Sequence, residues 1–135
     1  MNDAPKDYAP PAPAGVLRLL AAPKPRQVYW CEYPEDAIEP EFWKKRPVVV
    51  ISRNNSLRGP VSVLPMTTGH QPGNKWAVEL VSPLDGKQSW IICNHPTTFS
   101  TARLTQPGRN MKTVPEELYG TAIELLHKHL VGVRV

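Results

Sequence analysis

The stretch Lys44-Lys45-Arg46-Pro47-Val48-Val49-Val50-Ile51-Ser52 restricts this chain more than any other. Four consecutive β-branched apolar residues, bounded by Pro47 and by the turn cluster Arg53-Asn54-Asn55-Ser56, predict a strand buried on both faces. Proline is tolerated at the first position of such a strand because that residue need not donate to the ladder. The three cations therefore stand at a strand mouth, where the core meets water. Two readings fit them: long basic side chains snorkelling at a barrel rim, or a fixed cationic site for an anion.

Further strands are predicted around this one. Gln27-Val28-Tyr29-Trp30-Cys31-Glu32-Tyr33 is β-branched and aromatic and ends at Pro34, and Val61-Ser62-Val63-Leu64-Pro65-Met66 alternates after the turn at 54–60. Trp76 to Val81 and Ser89 to Cys93 follow, joined by a turn through Pro83 and Asp85-Gly86. Five short strands at this spacing predict a small barrel or sandwich. The end of the chain differs. Leu118, Ala122, Leu125, Leu126 and His129/Leu130 recur at helical spacing, Thr113-x-x-Glu116 has the form of a capping box, and Gly132 is a stop signal. The expected fold is mostly β, a small barrel closed by a C-terminal amphipathic helix.

Six prolines crowd residues 1–25, which predicts an extended or mobile N-terminal arm, with the folded domain at 26–135. No window approaches the ~18 apolar residues of a membrane span, and the apolar stretch at 15–22 is short and lacks a basic leader. A cytoplasmic protein is expected. Cys31 and Cys93 form no C-x-x-C pair and are expected as buried thiols. The net charge of +4 is unevenly spread: residues 32–41 carry five acids and no base, whereas residues 42–115 carry ten bases against two acids. That leaves +8 on the central body, which suits a polyanion-attracting surface or a merely solvated basic one.

Five blocks in order, "RQVYWCEYP", "RPVVVIS", "VSVLPMTT", "SWIICNHPTTFSTARL" and "TVPEELYGTAIELL", resemble the MazF/PemK/Kid family of toxin endoribonucleases over roughly residues 26–131. The resemblance implies an SH3-like barrel, a homodimer, an antitoxin partner that occludes the RNA site, and metal-independent cleavage of single-stranded RNA with no cofactor. It places Arg46 and Thr67 at the family's catalytic Arg and Thr positions. Arg46, always protonated and forked, suits a phosphate, and Thr67 offers a hydroxyl to the same group.

The chain departs from that pattern at Ile92 and Asn94, where Kid-like members place an Arg and an Asp, and at His95, where a Gln is common. His95 titrates near neutrality, which suits a general acid or base; a structural or base-stacking His is the competing reading. The expected RNA contacts are Lys44, Lys45, Trp43, Arg53, Thr68, Asn94, Thr97 and Thr98. Trp43 is the best stacking candidate, Glu41 is a possible partner for Arg46, and metal binding by His127 and His129 is not expected because residues two apart do not share a helix face. The alternative function is non-catalytic: a CcdB-like gyrase poison or a degenerate RNA binder on the same fold.

Overall fold

The computed structural model describes residues 13, 15–34 and 36–131. Within them the chain forms β1 (Gln27–Glu32), β2 (Lys45–Val50), β3 (Pro60–Thr67), β4 (Ala77–Val81), β5 (Gln88–Ile92), β6 (Thr97–Ser100), β7 (Leu104–Thr105), β8 (Lys112–Thr113) and α1 (Glu116–Val131), with a 3-10 turn at Thr101–Arg103.

The centre is an antiparallel sheet of β1, β2 and β3, in which Val28, Val49 and Leu64 face one another across the strands. Because successive side chains point to opposite faces, this sheet builds two cores. On one face Val28, Val49, Leu64 and Met66 meet Val78, Leu80 and Ile91 of the β4–β5 hairpin and Ala122 and Leu126 of α1. On the other, Tyr29, Cys31, Val48, Val50, Val61 and Val63 meet Leu19 and Leu104. Val48, Val49 and Val50 are therefore all buried, which is why a continuous apolar run replaces the usual alternation.

Two strands each share an outer edge between two partners. Pro60–Val63 of β3 pairs with β6 while Met66–Thr67 pairs with β5. Trp30–Cys31 of β1 pairs with β7 while Gln27–Val28 pairs with β8. A strand that changes partners along its length turns a corner, so the sheet curls into the expected barrel-like form with its helical cover. β6, β7 and β8 were not among the five predicted strands. They are two to four residues long and lack an alternating apolar pattern of useful length.

The segment before β1 differs in part from the expected mobile arm. Residues 1–12 and 14 lie outside the described residues. Residues 15–25 run along the second core: Leu19 is buried there, Arg18 bonds Glu32 and the Ala102 carbonyl, and the Pro23 carbonyl accepts from Asn55 Nδ2. The start of α1 also differs. The helix begins at Glu116 with the Pro115 carbonyl accepting from Tyr119 N, while Thr113 sits in β8 and makes no capping hydrogen bond among the described residues. Gly132 lies outside those residues. Leu118 and Leu125 pack on the core as the helical spacing predicts, but Leu130 is exposed.

Truncations should sort by this architecture. Leu64→Ala, in β3, should cost about 3 kcal/mol, and Leu19→Ala about 2 kcal/mol, whereas Leu130→Ala should stay within about 0.5 kcal/mol. Urea unfolding at one protein concentration checks this order. A Leu19→Ala cost no larger than that of Leu130→Ala would show that the 15–25 segment does not cover a core.

Candidate nucleic-acid interface

The joint between the β1–β2 loop and β2 fixes the cations. Lys44 adopts φ 63°, a conformation that few non-glycine residues take without support. Its carbonyl accepts from Tyr33 N at 3.2 Å, next to the last β1–β2 pair, Glu32 with Lys45. This bend turns the chain so that Arg46 Nε donates to the Trp43 carbonyl at 3.2 Å while its guanidinium carbon lies 4.6 Å from the centre of the Phe42 ring. Partial burial lowers the pKa of Arg46 from its usual value, and the buried Tyr33 hydroxyl acts in the opposite sense. The group keeps its charge, since arginine starts so far above neutrality. Lys44 and Lys45 rest over Trp43 and Trp30, with the ammonium groups 5.4 Å and 5.8 Å from the ring centres.

Arg46, Lys44 and Lys45 share a groove of about 180 Å³ with Thr67, Thr68 and Lys87, and Asp85 is the acid on its wall. The Thr67 hydroxyl accepts from Gly69 N at 3.1 Å. Its own proton is thus left for a ligand. β3 delivers Thr67 and β5 delivers Ser89 to this groove because the two strands pair just there, Thr67 opposite Trp90.

A second cavity, of about 280 Å³, is lined by Phe42 together with Tyr33, Asn94, His95 and Thr97. The His95 ring meets Phe42 edge-on at 5.0 Å. One aromatic ring thus carries Arg46 and His95 together. Burial lowers the pKa of His95, with a smaller contribution from His129, which favours the neutral ring that can accept a proton. Thr97 donates to the His95 carbonyl at 3.4 Å. Ile92 is buried in the last position of β5 and contributes no polar group.

The remaining predicted contacts fall elsewhere. Trp43 is 59% exposed on the wall of a neighbouring hollow with Ala37, Glu39 and Glu41. Arg53 lies past the far end of β2, seven residues beyond Arg46. Thr98 is in β6, bonded to the Ser62 hydroxyl at 2.7 Å, well down β3 from Thr67. Glu41 does not pair with Arg46: its carboxylate accepts from Ile38 N at 2.8 Å and holds the loop's own turn. His129 packs edge-on against Trp76, and among the described residues no three metal-ligating side chains come together. Cys31 and Cys93 are buried free thiols, each pushed up to about 12 by that burial.

Phe42, Lys87 and Arg103 line these surfaces without having been predicted to contact RNA. Arg103 joins Lys44, Lys45, Glu32 and Asp36 around a larger hollow of about 620 Å³, and donates to the Glu32 carbonyl at 3.1 Å. Its signal in the sequence was the Arg-Leu closing the "SWIICNHPTTFSTARL" block. Lys87 had only its place after the Asp85-Gly86 turn.

Several solved structures share this fold. MazF from Deinococcus radiodurans superposes with a TM-score of 0.62 at 20% identity, over 83% of this chain and 98% of that one. A mycobacterial endoribonuclease in complex with its cognate antitoxin gives 0.58 at 18% identity, over 84% and 100%, and the Mycobacterium tuberculosis toxin MazF-mt6 gives 0.55 at 19%, over 77% and 95%. At such identities the likeness establishes the fold. No curated protein matches the sequence significantly. A family model, however, described as the PemK-like, MazF-like toxin of type II toxin-antitoxin systems, matches residues 24–130. With most of its length matched in this way, and with the fold to go with it, the chain belongs to the PemK-like, MazF-like family of type II toxins.

Proposed function

We propose that this toxin is an endoribonuclease that cuts single-stranded RNA without a metal, leaving a 2′,3′-cyclic phosphate, with Arg46 as the group that stabilises the reacting phosphoryl. The observation that carries the reading is the fixation of Arg46 by the Trp43 carbonyl and the Phe42 ring in a groove that also holds Lys44, Lys45, Thr67 and Thr68. Structural neighbours described as endoribonucleases support it.

In this reaction the ribose 2′-oxygen attacks the adjacent phosphorus and the 5′-oxygen leaves. Charge builds on the phosphoryl oxygens, and preorganised donors in a partly dry groove stabilise it because they need not reorganise. Arg46 presents its outer nitrogens to two of those oxygens, and the Thr67 hydroxyl donates to the same phosphate. Lys44, Lys45 and Lys87 supply the field that draws the backbone in. His95, neutral and one ring away from Arg46, takes the 2′-hydroxyl proton, and the departing 5′-oxygen takes one from water. Asn94 and Thr97 lie beside it as base or ribose contacts, and exposed Trp43 stacks a more distant base. Arg53, remote from the groove, contributes at most to long-range attraction, and Thr98, uncharged and bonded to Ser62, takes no part.

The partners are an antitoxin, as in the neighbours solved with theirs, and a second copy of the chain. An antitoxin segment rich in acidic side chains suits the positive groove. The site of action is the cytoplasm, where messenger RNA is found.

Arg46→Ala should lower cutting of a long single-stranded RNA in EDTA by about 10³-fold with little change in the unfolding midpoint. Arg46→Lys should fall nearly as far, because a point charge does not replace the fork. Mapping the cut ends reports the cyclic phosphate. Normal cutting by either variant would remove Arg46 from the mechanism, and no cutting by folded, antitoxin-free wild type would turn the assignment to a non-catalytic binder, with gyrase the next target.

His95 makes a pH prediction. Its pKa lies below 6.5 in the folded chain, so the neutral base persists under mild acid and the rate falls only as pH drops through that lowered value. The same shift favours the folded state above 6.5 and loses that contribution as pH falls. His95→Gln should abolish the acidic limb of the rate profile and flatten this part of the stability profile. A variant that keeps the full wild-type rate profile would leave His95 without a proton-transfer role.

A further inference from the structure

Among the described residues two buried side-chain polar atoms have no hydrogen-bond partner, the Tyr33 hydroxyl oxygen and Asn94 Oδ1. Both residues line the cavity of about 280 Å³ beside Phe42 and His95. Buried polar groups are nearly always paired, since an unpaired one forfeits its hydration for nothing. The Tyr33 ring has an apolar explanation: it is 7% exposed, belongs to the second core, and meets Phe99 edge-on at 5.0 Å. A phenylalanine would serve that packing equally well. The hydroxyl is therefore left over by the fold, as is the Asn94 oxygen, and both residues line one hollow.

We propose that this cavity receives one nucleobase of the RNA, from a nucleotide flanking the scissile phosphate, and that the Tyr33 hydroxyl and the Asn94 side chain read its hydrogen-bonding edge. The assignment rests on the endoribonuclease reading and adds to it the element that selects sequence. Single-stranded RNA is read by splaying a base out, stacking it on an aromatic ring and bonding its edge. Phe42 supplies the ring, Asn94 Oδ1 an acceptor, and the Tyr33 hydroxyl a group that donates or accepts. Each base carries its own order of donors and acceptors, so two fixed partners distinguish one order from another. The position along the RNA follows from Phe42. Arg46 lies 4.6 Å from its centre and His95 5.0 Å, so a phosphate on Arg46 and a base beside His95 both adjoin one ring and belong to neighbouring groups of the chain.

Pro40 and Glu41, both exposed, also line this cavity, so the base reaches it past exposed side chains of the β1–β2 loop. Sites built to bond a polar edge discriminate strongly, because the wrong edge leaves the buried partners unpaired. Here neither partner is bonded by another protein group, and the right base supplies both bonds at once.

The test is cleavage of a random-sequence single-stranded RNA pool by wild type, Tyr33→Phe and Asn94→Leu, with every cut mapped, alongside the thermal unfolding midpoint of each protein. The expected result is one position flanking the cut at which the wild-type preference falls by about tenfold in each variant, the other positions keeping theirs. Asn94→Asp, which keeps an acceptor, should hold more of that preference than Asn94→Leu. The midpoint of Tyr33→Phe should not fall, since the hydroxyl has no partner to lose. Cutting with an unaltered preference in both Tyr33→Phe and Asn94→Leu would overturn the base pocket and leave the ribonuclease reading standing. A lowered midpoint for Tyr33→Phe would also overturn it, by giving the hydroxyl a structural role. Absence of cutting by wild type would overturn both.

Discussion

Everything in this molecule leans on β2 being covered twice. Val49 points into the core that α1 and the β4–β5 hairpin close, and Val48 and Val50 point into the one that Leu19 and Leu104 close. A strand held from both sides has little freedom to shift along its register, because a slip of one residue would exchange the two sets. The residues at its mouth inherit that rigidity. Arg46 is one position from Pro47 and two from Val48, so the core's packing precision is passed directly to a charged group at the surface. The two covers come from opposite ends of the chain, the segment before β1 and the helix after β8, and neither makes the site itself.

The site is assembled around an apolar object. Phe42 offers a guanidinium one contact and an imidazole another, and it does so from a loop anchored by Tyr33 N on the Lys44 carbonyl. A ring in this role excludes water while imposing spacing, which no salt bridge to a carboxylate would do without neutralising the charge that the proposed chemistry needs. Among the described residues the sole salt bridge, Arg18 with Glu32, lies outside the groove, so the cations there are not spent on internal acids. The loop's acidic side chains are used otherwise: Glu41 caps its own turn, and Asp36 lines a hollow alongside Lys44 and Lys45.

Much of this was legible in the residues. The β-branched run, the alternation in β3 and the helical spacing from Leu118 to Leu126 report burial, and burial is what side-chain chemistry encodes most directly. The grouping of Lys44, Lys45, Arg46, Thr67 and Thr68 was legible too, through the order of the five blocks. What was not legible depends on pairing at a distance. β7 and β8 are two residues each and exist because β1 has an edge to complete. The seating of Leu19 depends on a core whose walls lie in four other segments. Arg53 and Thr98 look suitable by type, yet a strand's length separates each from the groove. Asn94 was legible as a candidate RNA contact through its place in the fourth block, but Tyr33 was not, since only a three-dimensional inventory of partners reveals its unpaired hydroxyl.

The double use of the outer edge of β1 has a consequence for the time at which this protein comes into being. Its first strand is completed by residues 104–105 and 112–113, and the Arg26 carbonyl that precedes it waits for Val114 N. Such distant closures slow folding, because the intervening chain must be ordered before they reward it. On the ribosome, β1 and β2 emerge long before the segments that finish them. The nascent chain carries an open strand edge for most of its synthesis, and a fragment released early lacks both the seam and the helix that hold the groove in shape. The groove is thereby tied to the later segments: the fold withholds its assembled form until β7, β8 and α1 have been made.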